Sequence, residues 1–227
     1  MRKEFIAIVS HELRTPLSTM HSSVETLLAS DVNNPELVRR FVPVLMRNIT
    51  LLSGIVEDLL DLSRIDAGEY HLDIQSISVL AAGHRAFELV SQMAKGKSLV
   101  TEMLIPEGTE ILADEQAFDQ ILFNLLMNAV KYTPENGRVT LQARPEGDLI
   151  KIEVVDDGPG IAPEFHHRIF ERFFRVDPGR SREAGGTGLG LAIVKDLVEK
   201  LDGRVWVECP ERAGSIFCMT FAREIAS

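Results

Sequence analysis

Residues 5–28 read FIAIVSHELRTPLSTMHSSVETLL, and their apolar side chains recur at intervals of three and four. This spacing is typical of one face of an amphipathic helix packed in a bundle. A second stripe with the same spacing follows the sequence DVNN at residues 31–34. Pro35 suits the first turn of that second helix, with Asn34 as its N-cap, and Gly68 is placed to end it. The sequence therefore predicts a helical hairpin.

The predicted hairpin has more apolar surface than two helices can bury against each other. A second copy would close a four-helix bundle around both stripes. We therefore expect the chain to form a homodimer through its first 68 residues.

The pattern changes at about Gln75, where helical and extended segments begin to alternate. Three helices are predicted, over residues 79–94, 114–131 and 189–201. The predicted strands cover residues 100–105, 110–112, 139–143, 149–155, 204–209 and 215–221. This order favours an α/β two-layer sandwich of about 150 residues. The expected fold class is thus α+β, with domains at residues 1–68 and 75–227.

Composition excludes several classes of protein. Of the 227 residues, 45% are apolar and 26% charged, which is ordinary for a globular chain, and no apolar run approaches the ~18 residues of a membrane span. A net charge of −10 argues against nucleic acid as a partner. The two cysteines, Cys209 and Cys218, cannot form a disulfide framework or a four-ligand zinc site. We expect a cytoplasmic fragment that makes no contact with a membrane.

His11 is the first candidate for chemistry. It is offset from the apolar stripe by roughly 160–200°, so it is expected to face solvent. Glu12 can accept the proton of its Nδ1 atom and leave Nε2 as a nucleophile. Thr15 lies one turn further along the same face, and Pro16 frees the carbonyl of Glu12. A surface histidine without function is the alternative, which these neighbours disfavour.

The predicted helix at residues 114–131 carries a polar stripe. Asn124, Asn128 and Lys131 lie within about 60° of one another around the helix axis. Amide oxygens suit a hard cation such as Mg²⁺, and a lysine suits phosphate. A single solvated asparagine would be unremarkable, but two at this spacing with a lysine indicate a site.

A carboxylate follows the strand at residues 149–155. Strand alternation places Asp156 on the buried face and Asp157 outside. A buried carboxylate needs a hydrogen-bond donor, and the amino group of adenine would serve. Gly158 and Gly160 would allow a ligand to approach the backbone closely. A plain turn is the alternative.

The sequence GGTGLG at residues 185–190 leads directly into a helix. Backbone amides at a helix N-terminus, with glycines beside them, can hold phosphate groups. The segment has neither the Gly-Lys-Ser/Thr ending of a P-loop nor the preceding strand of a dinucleotide fingerprint. Four arginines upstream are predicted to belong to a mobile lid over the phosphates, or alternatively to a solvated loop: Arg172, Arg175, Arg180 and Arg182.

Five motifs together resemble the catalytic core of the two-component sensor histidine kinases, over nearly the whole chain. They correspond, in the family's order, to the H, N, G1, F and G2 boxes: HELRTP (11–16), NLLMNAVKY (124–132), DDGPG (156–160), IFERFF (169–174) and GTGLG (186–190).

The resemblance implies a function for each domain. The family joins a dimerisation and phosphoacceptor hairpin to an ATP-binding sandwich of the gyrase and heat-shock ATPase type. By this resemblance His11 is the phosphorylated residue, and Glu12 orients and activates it. The phosphoryl group would pass to an aspartate of a response regulator. Thr15 would act in the removal of phosphate from that regulator.

The resemblance also implies ATP and Mg²⁺ as cofactors. Asn128 is expected to coordinate Mg²⁺ with help from Asn124, and Asp156 to bind the adenine amine. Phe173 and Phe174 are expected to couple the lid to the hairpin. The other residues expected at the nucleotide are Lys131, Tyr132, Gly158, Gly160, Ile161, Phe174, Arg175, Gly186, Thr187, Gly188, Leu189 and Gly190.

Three questions stay open from the sequence. Only ten residues precede His11, whereas these kinases carry sensor and linker segments upstream, so we expect a longer parent protein; membrane anchoring of that parent is open. A related ATPase that works as a conformational clamp is an alternative function. A catalytically inactive dimerisation scaffold is the other.

Overall fold

The computed structural model describes residues 2–29, 34–177, 187–210 and 214–223. Two long helices, α1 (Arg2–Ala29) and α2 (Pro35–Asp66), form the predicted N-terminal hairpin. The Oδ1 atom of Asn34 accepts a hydrogen bond from the backbone N–H of Glu36 at 3.0 Å, which confirms the predicted N-cap of α2. Gly68 follows the last turn of α2 with a φ of 72°.

The second region alternates helices and strands, as the sequence predicts. Its elements are β1 (Gln75–Ser78), α3 (Val79–Gly96), β2 (Val100–Leu104), β3 (Glu110–Ala113), α4 (Glu115–Tyr132), β4 (Arg138–Glu146), β5 (Leu149–Asp156), 3₁₀ turns at Pro163–Phe165 and Arg168–Phe170, α5 (Gly190–Lys200), β6 (Arg204–Glu208) and β7 (Ser215–Ala222). Strand β1 was not predicted, because four residues are too few for an alternating pattern to stand out.

The main sheet has five strands in the order β2-β4-β5-β7-β6. Strand β2 runs parallel to β4, and the other neighbours are antiparallel. Strands β1 and β3 form a separate antiparallel pair. Helices α3, α4 and α5 pack on the main sheet, where Phe118 of α4 meets Phe221 of β7 edge to face at 5.4 Å. A two-layer sandwich therefore follows the hairpin, and the predicted fold class is confirmed.

The opposite face of the sheet carries a buried ion pair. Lys151 and Glu153 alternate with the core residues of β5, yet they are only 6% and 5% exposed. The Nζ atom of Lys151 lies 2.8 Å from Oε1 of Glu153 and 5.1 Å from the ring centre of Trp206. Burial alone would raise the pKa of Glu153, but hydrogen bonds from Lys151 and Gln142 hold it below its usual value. Ion pairing therefore allows these charged side chains to be buried.

The hairpin keeps a large apolar surface exposed. In α2 only three residues are buried: Ile55, Leu62 and Ile65. Six large apolar side chains of α2 are exposed, at spacings of four, four, three, seven and four: Val38, Val42, Met46, Ile49, Val56 and Leu60. Within the described residues, every helix is too short or too polar to cross a lipid bilayer.

Candidate functional site

His11 lies on the outer face of α1, as predicted, with 62% of its side chain exposed. Its Nδ1 atom is 3.5 Å from Oε1 of Glu12, so the two side chains face each other at slightly more than hydrogen-bond distance. The hydroxyl of Thr15 donates to the backbone carbonyl of His11 at 3.2 Å. The three candidate catalytic residues of the H box thus lie together on one helix.

A cavity of about 660 Å³ lies between His11 and the sandwich. Its walls come from α1 and from the F-box segment: Ala7, Ile8, His11, Glu12, Arg168, Glu171, Arg172, Phe173 and Phe174. Glu12, which lines this cavity, also accepts a hydrogen bond at Oε2 from Nη2 of Arg175 at 2.8 Å. The sequence analysis did not predict this contact, since the two residues are far apart in the chain.

The asparagine and lysine stripe lies on α4, next to the start of α5. A Cβ atom at Gly190 would come within 2.9 Å of Oδ1 of Asn124, so a side chain at this position would displace the Asn124 amide. This contact brings the N box and the G2 box together. Asn128 lies one turn beyond Asn124 and is partly buried.

Lys131 and Tyr132 occupy the last turn of α4. Burial lowers the pKa of Lys131 to about 8, and the positive charge of Arg175 acts in the same direction. The Nζ atom of Lys131 lies 5.1 Å from the ring centre of Tyr132. A neighbouring lysine, Lys97, holds this helix end in place, because its Nζ donates to the carbonyls of Val130, Lys131 and Thr133 at 2.6–2.9 Å. Lys97 belongs to none of the five sequence motifs, so no signal in the sequence indicated this role.

Asp156 ends β5 and is 5% exposed, while Asp157 is exposed, so the predicted positions of these two carboxylates are confirmed. Burial raises the pKa of Asp156 to about 6, against the hydrogen bonds that it accepts from Gly158 and Ser215. The Oδ1 atom takes the Gly158 N–H at 2.7 Å, and a Cβ at Gly158 would lie 2.5 Å from this oxygen. Glycine is therefore required for the carboxylate to turn back on the loop.

The G1 loop that follows Asp156 also contacts Cys209 and Gly214. Gly160 has a φ of 72° and packs against the backbone of Gly214. The N–H of Ile161 donates to Sγ of Cys209 at 3.3 Å, and the Ile161 side chain is half-buried. These contacts fix the G1 loop beside Asp156.

The G2 segment contacts both the F box and the hairpin. Gly188 has a φ of 76°, and its carbonyl accepts the N–H of Phe173 at 2.8 Å. Leu189 is fully buried, and its N–H donates to the hydroxyl of Thr187 at 3.1 Å. The Thr187 hydroxyl in turn donates to Oδ2 of Asp58, on α2, at 2.8 Å. Gly186, Arg180 and Arg182 lie outside the described residues.

Arg172 joins the hairpin to the sandwich and does not lie in the lid that the sequence analysis predicted for it. Its guanidinium donates two hydrogen bonds to Asp66 at 2.7 Å each and a third to Asp196 of α5 at 3.0 Å. The hydrogen bond from Arg172 lowers the pKa of Asp66 below its usual value. A planar guanidinium matches a carboxylate with two parallel bonds, which explains this position.

Acidic residues of α2 make three contacts with the sandwich, and none was predicted. Asp58 bonds Thr187, Asp66 bonds Arg172, and Oδ2 of Asp61 accepts from the side-chain amide of Gln120 at 2.6 Å. Burial raises the pKa of Asp58 to about 6, with the charges of Asp61 and Glu57 adding to the effect and the Thr187 hydrogen bond opposing it. The acidic residues on one helix were visible in the sequence, but their partners were not.

The hairpin and the sandwich each match a known protein family. Residues 1–68 match the family described as His Kinase A (phospho-acceptor) domain. Residues 113–225 match the family described as Histidine kinase-, DNA gyrase B-, and HSP90-like ATPase. The chain belongs to the two-component histidine kinases. A curated relative of this family, the sensor histidine kinase WalK of Bacillus subtilis, is 36% identical over 225 residues. That match covers 96% of this chain but 36% of the relative, so the chain spans about a third of the length of WalK.

Solved histidine kinases share the architecture. Full-length ShkA in complex with AMPPNP is 33% identical, with a TM-score of 0.71 over 98% of this chain and 47% of that chain. The histidine kinase ThkA, solved in complex with the response regulator protein TrrA, has a TM-score of 0.79 at 22% identity. That match covers 97% of this chain and 61% of that one, and it supports the fold.

The raised pKa of Asp58 predicts how stability depends on pH. Because its pKa rises from 3.8 to about 6 on folding, the folded kinase core binds this proton more tightly than the unfolded chain does. The contribution of Asp58 to the free energy of unfolding therefore increases as pH falls from 7 towards 4. Relative to Asp58→Asn, the wild type should gain about 1 kcal/mol between pH 7 and pH 5, after allowance for partial exposure.

Urea denaturation of both proteins at pH 5, 6 and 7 measures this difference. Asp202→Asn is the control, because Asp202 is exposed and the change leaves Asp58 and its charged neighbours in place, so this variant should follow the wild type. If Asp58→Asn and the wild type changed in parallel with pH, Asp58 would not carry the raised pKa.

Proposed function

We propose that this chain transfers the γ-phosphoryl group of ATP to His11 and then passes it to an aspartate of a response regulator. The observation that carries this proposal is the cavity between α1 and the F box, where exposed His11 faces the sandwich that bears the predicted nucleotide residues. ATP is the cytoplasmic phosphoryl donor, so we place the reaction in the cytoplasm. Because the chain spans part of its relatives, the input signal of the whole protein lies beyond this proposal.

The hairpin residues perform the chemistry at the acceptor. Nε2 of His11 attacks the γ-phosphorus, the new N–P bond forms as the bond to the β-phosphate oxygen breaks, and ADP leaves. Glu12 lies on the Nδ1 side of the ring, where it can accept the ring proton and stabilise the positive charge that develops. The phosphoryl group then moves from nitrogen to a regulator carboxylate.

The sandwich residues hold the nucleotide. Asp156, buried at the end of β5, would accept a hydrogen bond from the adenine amino group. Lys131 and Arg175 would contact the phosphates, as would the backbone and hydroxyl of the G2 segment. Since Arg175 reaches Glu12, the phosphate end of this site points towards His11.

Mg²⁺ fits the donor set on α4. Among the described residues, no cluster of three or more histidine, cysteine or acidic side chains could hold a metal alone. The amide oxygens of Asn128 and Asn124 offer few ligands, which suits a cation that shares its remaining ligands with phosphates and water. When bound, Mg²⁺ neutralises charge on the transferring phosphoryl group.

Substitution of His11 or of Asn128 should separate phosphoryl transfer from nucleotide binding. His11→Gln should abolish self-labelling by γ-labelled ATP and leave ATP binding nearly unchanged, because the acceptor and the nucleotide residues lie on different domains. Asn128→Ala should weaken Mg-ATP binding and reduce labelling by about 100-fold or more, because it removes an oxygen ligand. Acid-labile, alkali-stable label on the protein measures the first step, and calorimetric titration measures binding.

The same experiment distinguishes the alternatives. Labelling of the His11→Gln protein would contradict the acceptor assignment. Release of phosphate without labelled protein would indicate an ATPase that acts as a conformational clamp. Absence of both signals in the wild type would indicate an inactive scaffold.

A homodimer accounts for the exposed apolar stripe of α2. The heptad-like spacing from Val42 to Leu60 is the pattern by which helices pack side by side. A second hairpin would cover this stripe and complete a four-helix bundle. We therefore propose that residues 1–68 dimerise and that residues 75–227 bind ATP.

Sedimentation equilibrium should show a dimer at micromolar concentration. Ile49→Lys places a charge in the middle of the exposed stripe and should shift the chain to a monomer. Leu89→Lys is the control, because Leu89 is also exposed but lies on α3, away from the hairpin. A wild-type monomer, or equal dissociation by both variants, would contradict dimerisation through α2.

Removal of phosphate from the regulator is a second proposed activity of the same helix face. The Thr15 hydroxyl lies one turn from His11 and could hold a water molecule near the phospho-aspartate of a docked regulator. Thr15→Ala should retain self-phosphorylation and transfer but lose most regulator dephosphorylation. Glu12→Ala should instead lose self-phosphorylation by about 100-fold, since it removes the proton acceptor.

Both rates are measured for both variants with the cognate regulator. Thr15→Ser, which keeps the hydroxyl, should behave like the wild type. If Thr15→Ala damaged both rates equally, the division between Thr15 and Glu12 would be wrong.

A further inference from the structure

Two side chains of the predicted phosphate-binding set each bond a carboxylate of the hairpin. Arg175 donates to Glu12 at 2.8 Å, and Thr187 donates to Asp58 at 2.8 Å. Arg175 and Glu12 are largely withdrawn from water, with 9% and 15% of their side chains exposed. Carboxylate oxygens accept the same charge-assisted hydrogen bonds that phosphate oxygens accept.

We propose that Glu12 and Asp58 are internal competitors of the ATP phosphates for Arg175 and Thr187. The hairpin docks on the sandwich partly through these two bonds, and the nucleotide must replace them. The inference rests on the proposed function, because that function assigns Arg175 and Thr187 to the phosphates. It adds a regulatory contact that tunes nucleotide affinity through the position of the hairpin.

The hydrogen-bonding state of Arg175 supports this competition. Its Nε atom is buried and has no hydrogen-bond partner among the described residues. A buried donor without a partner is costly, so Glu12 satisfies Arg175 incompletely. Phosphate groups present several oxygens and can satisfy more of the five guanidinium donors at once. Arg175 is therefore suited to exchange one anionic partner for a better one.

Lys131, which lies near Arg175, also supports the proposed competition. Lys131 lies close enough to Arg175 for the two positive charges to repel, which contributes to its lowered pKa. Phosphate oxygens placed between Lys131 and Arg175 would remove this repulsion. The hairpin carboxylate thus neutralises only part of a cationic site.

The competition links nucleotide binding to catalysis at His11. When the phosphates bind Arg175, the carboxylate of Glu12 loses a hydrogen-bond donor. That donor competes with the ring of His11 for the negative charge of Glu12. Thermodynamic reciprocity requires that ATP weaken the docking to the same extent as docking weakens ATP binding. Two other contacts, Arg172 with Asp66 and Gln120 with Asp61, involve no predicted nucleotide residue and can persist through this exchange.

Variants of the full chain in which a single carboxylate is replaced by the matching amide test the competition. Asp58→Asn should bind Mg-ATP about 3- to 10-fold more tightly than the wild type, because a neutral amide releases Thr187 more readily. Glu12→Gln should also bind Mg-ATP more tightly, although it loses self-phosphorylation. Asp61→Asn is the control and should stay within about 2-fold of the wild type, since it removes a hairpin contact that no nucleotide residue makes.

Adenosine serves as the second probe, because it lacks phosphates. Its affinity should be the same in the wild type, Asp58→Asn and Asp61→Asn, as measured by equilibrium titration. Unchanged Mg-ATP affinity in Asp58→Asn would overturn the competition. Equal tightening in Asp61→Asn, or tightening of adenosine, would overturn it in favour of general undocking. If the wild type failed to bind Mg-ATP, the proposed function would fall first and the inference with it.

Discussion

The hydrogen bonds that Arg172 makes to Asp66 and Asp196 set the relation between the two halves of this kinase core. Asp66 is the last residue of α2 and Asp196 belongs to α5, so one guanidinium fixes the end of the hairpin against the sandwich. Arg172 also belongs to the F-box segment that forms a wall of the cavity at His11. This contact therefore helps to place His11 opposite the sandwich.

The contacts between the hairpin and the sandwich must be strong enough to orient the two regions and weak enough to break during the reaction. Leu62 and Ile65 of α2 pack into the apolar core of the sandwich. The polar contacts of the hairpin are hydrogen bonds, and such bonds contribute modest free energy individually. Movement of the sandwich over the hairpin is expected in a reaction that must bring ATP to His11 and later admit a regulator. In the competition that we propose, the carboxylates on α1 and α2 that bond Arg175 and Thr187 would link this movement to nucleotide binding.

The sequence was informative where one element contains the whole signal. Helical periodicity is enough to place His11 on the outer face of α1 and the asparagines on one stripe of α4, because the backbone geometry of a helix determines which residues share a face. Strand alternation likewise placed Asp156 inside and Asp157 outside. It did not predict that Lys151 and Glu153 would be buried together, since that depends on Gln142 of β4 and Trp206 of β6.

The sequence by itself determined the hairpin, the sandwich, the order of the five motifs and the family. Only the tertiary structure decided that Arg172 binds the hairpin carboxylate of Asp66, that Gly190 lies against Asn124, and that Asp58 bonds Thr187. The physical reason is that spacing within an element follows from local backbone geometry. Partners in different elements are chosen by how whole helices and sheets pack, and a single sequence carries no local mark of that choice.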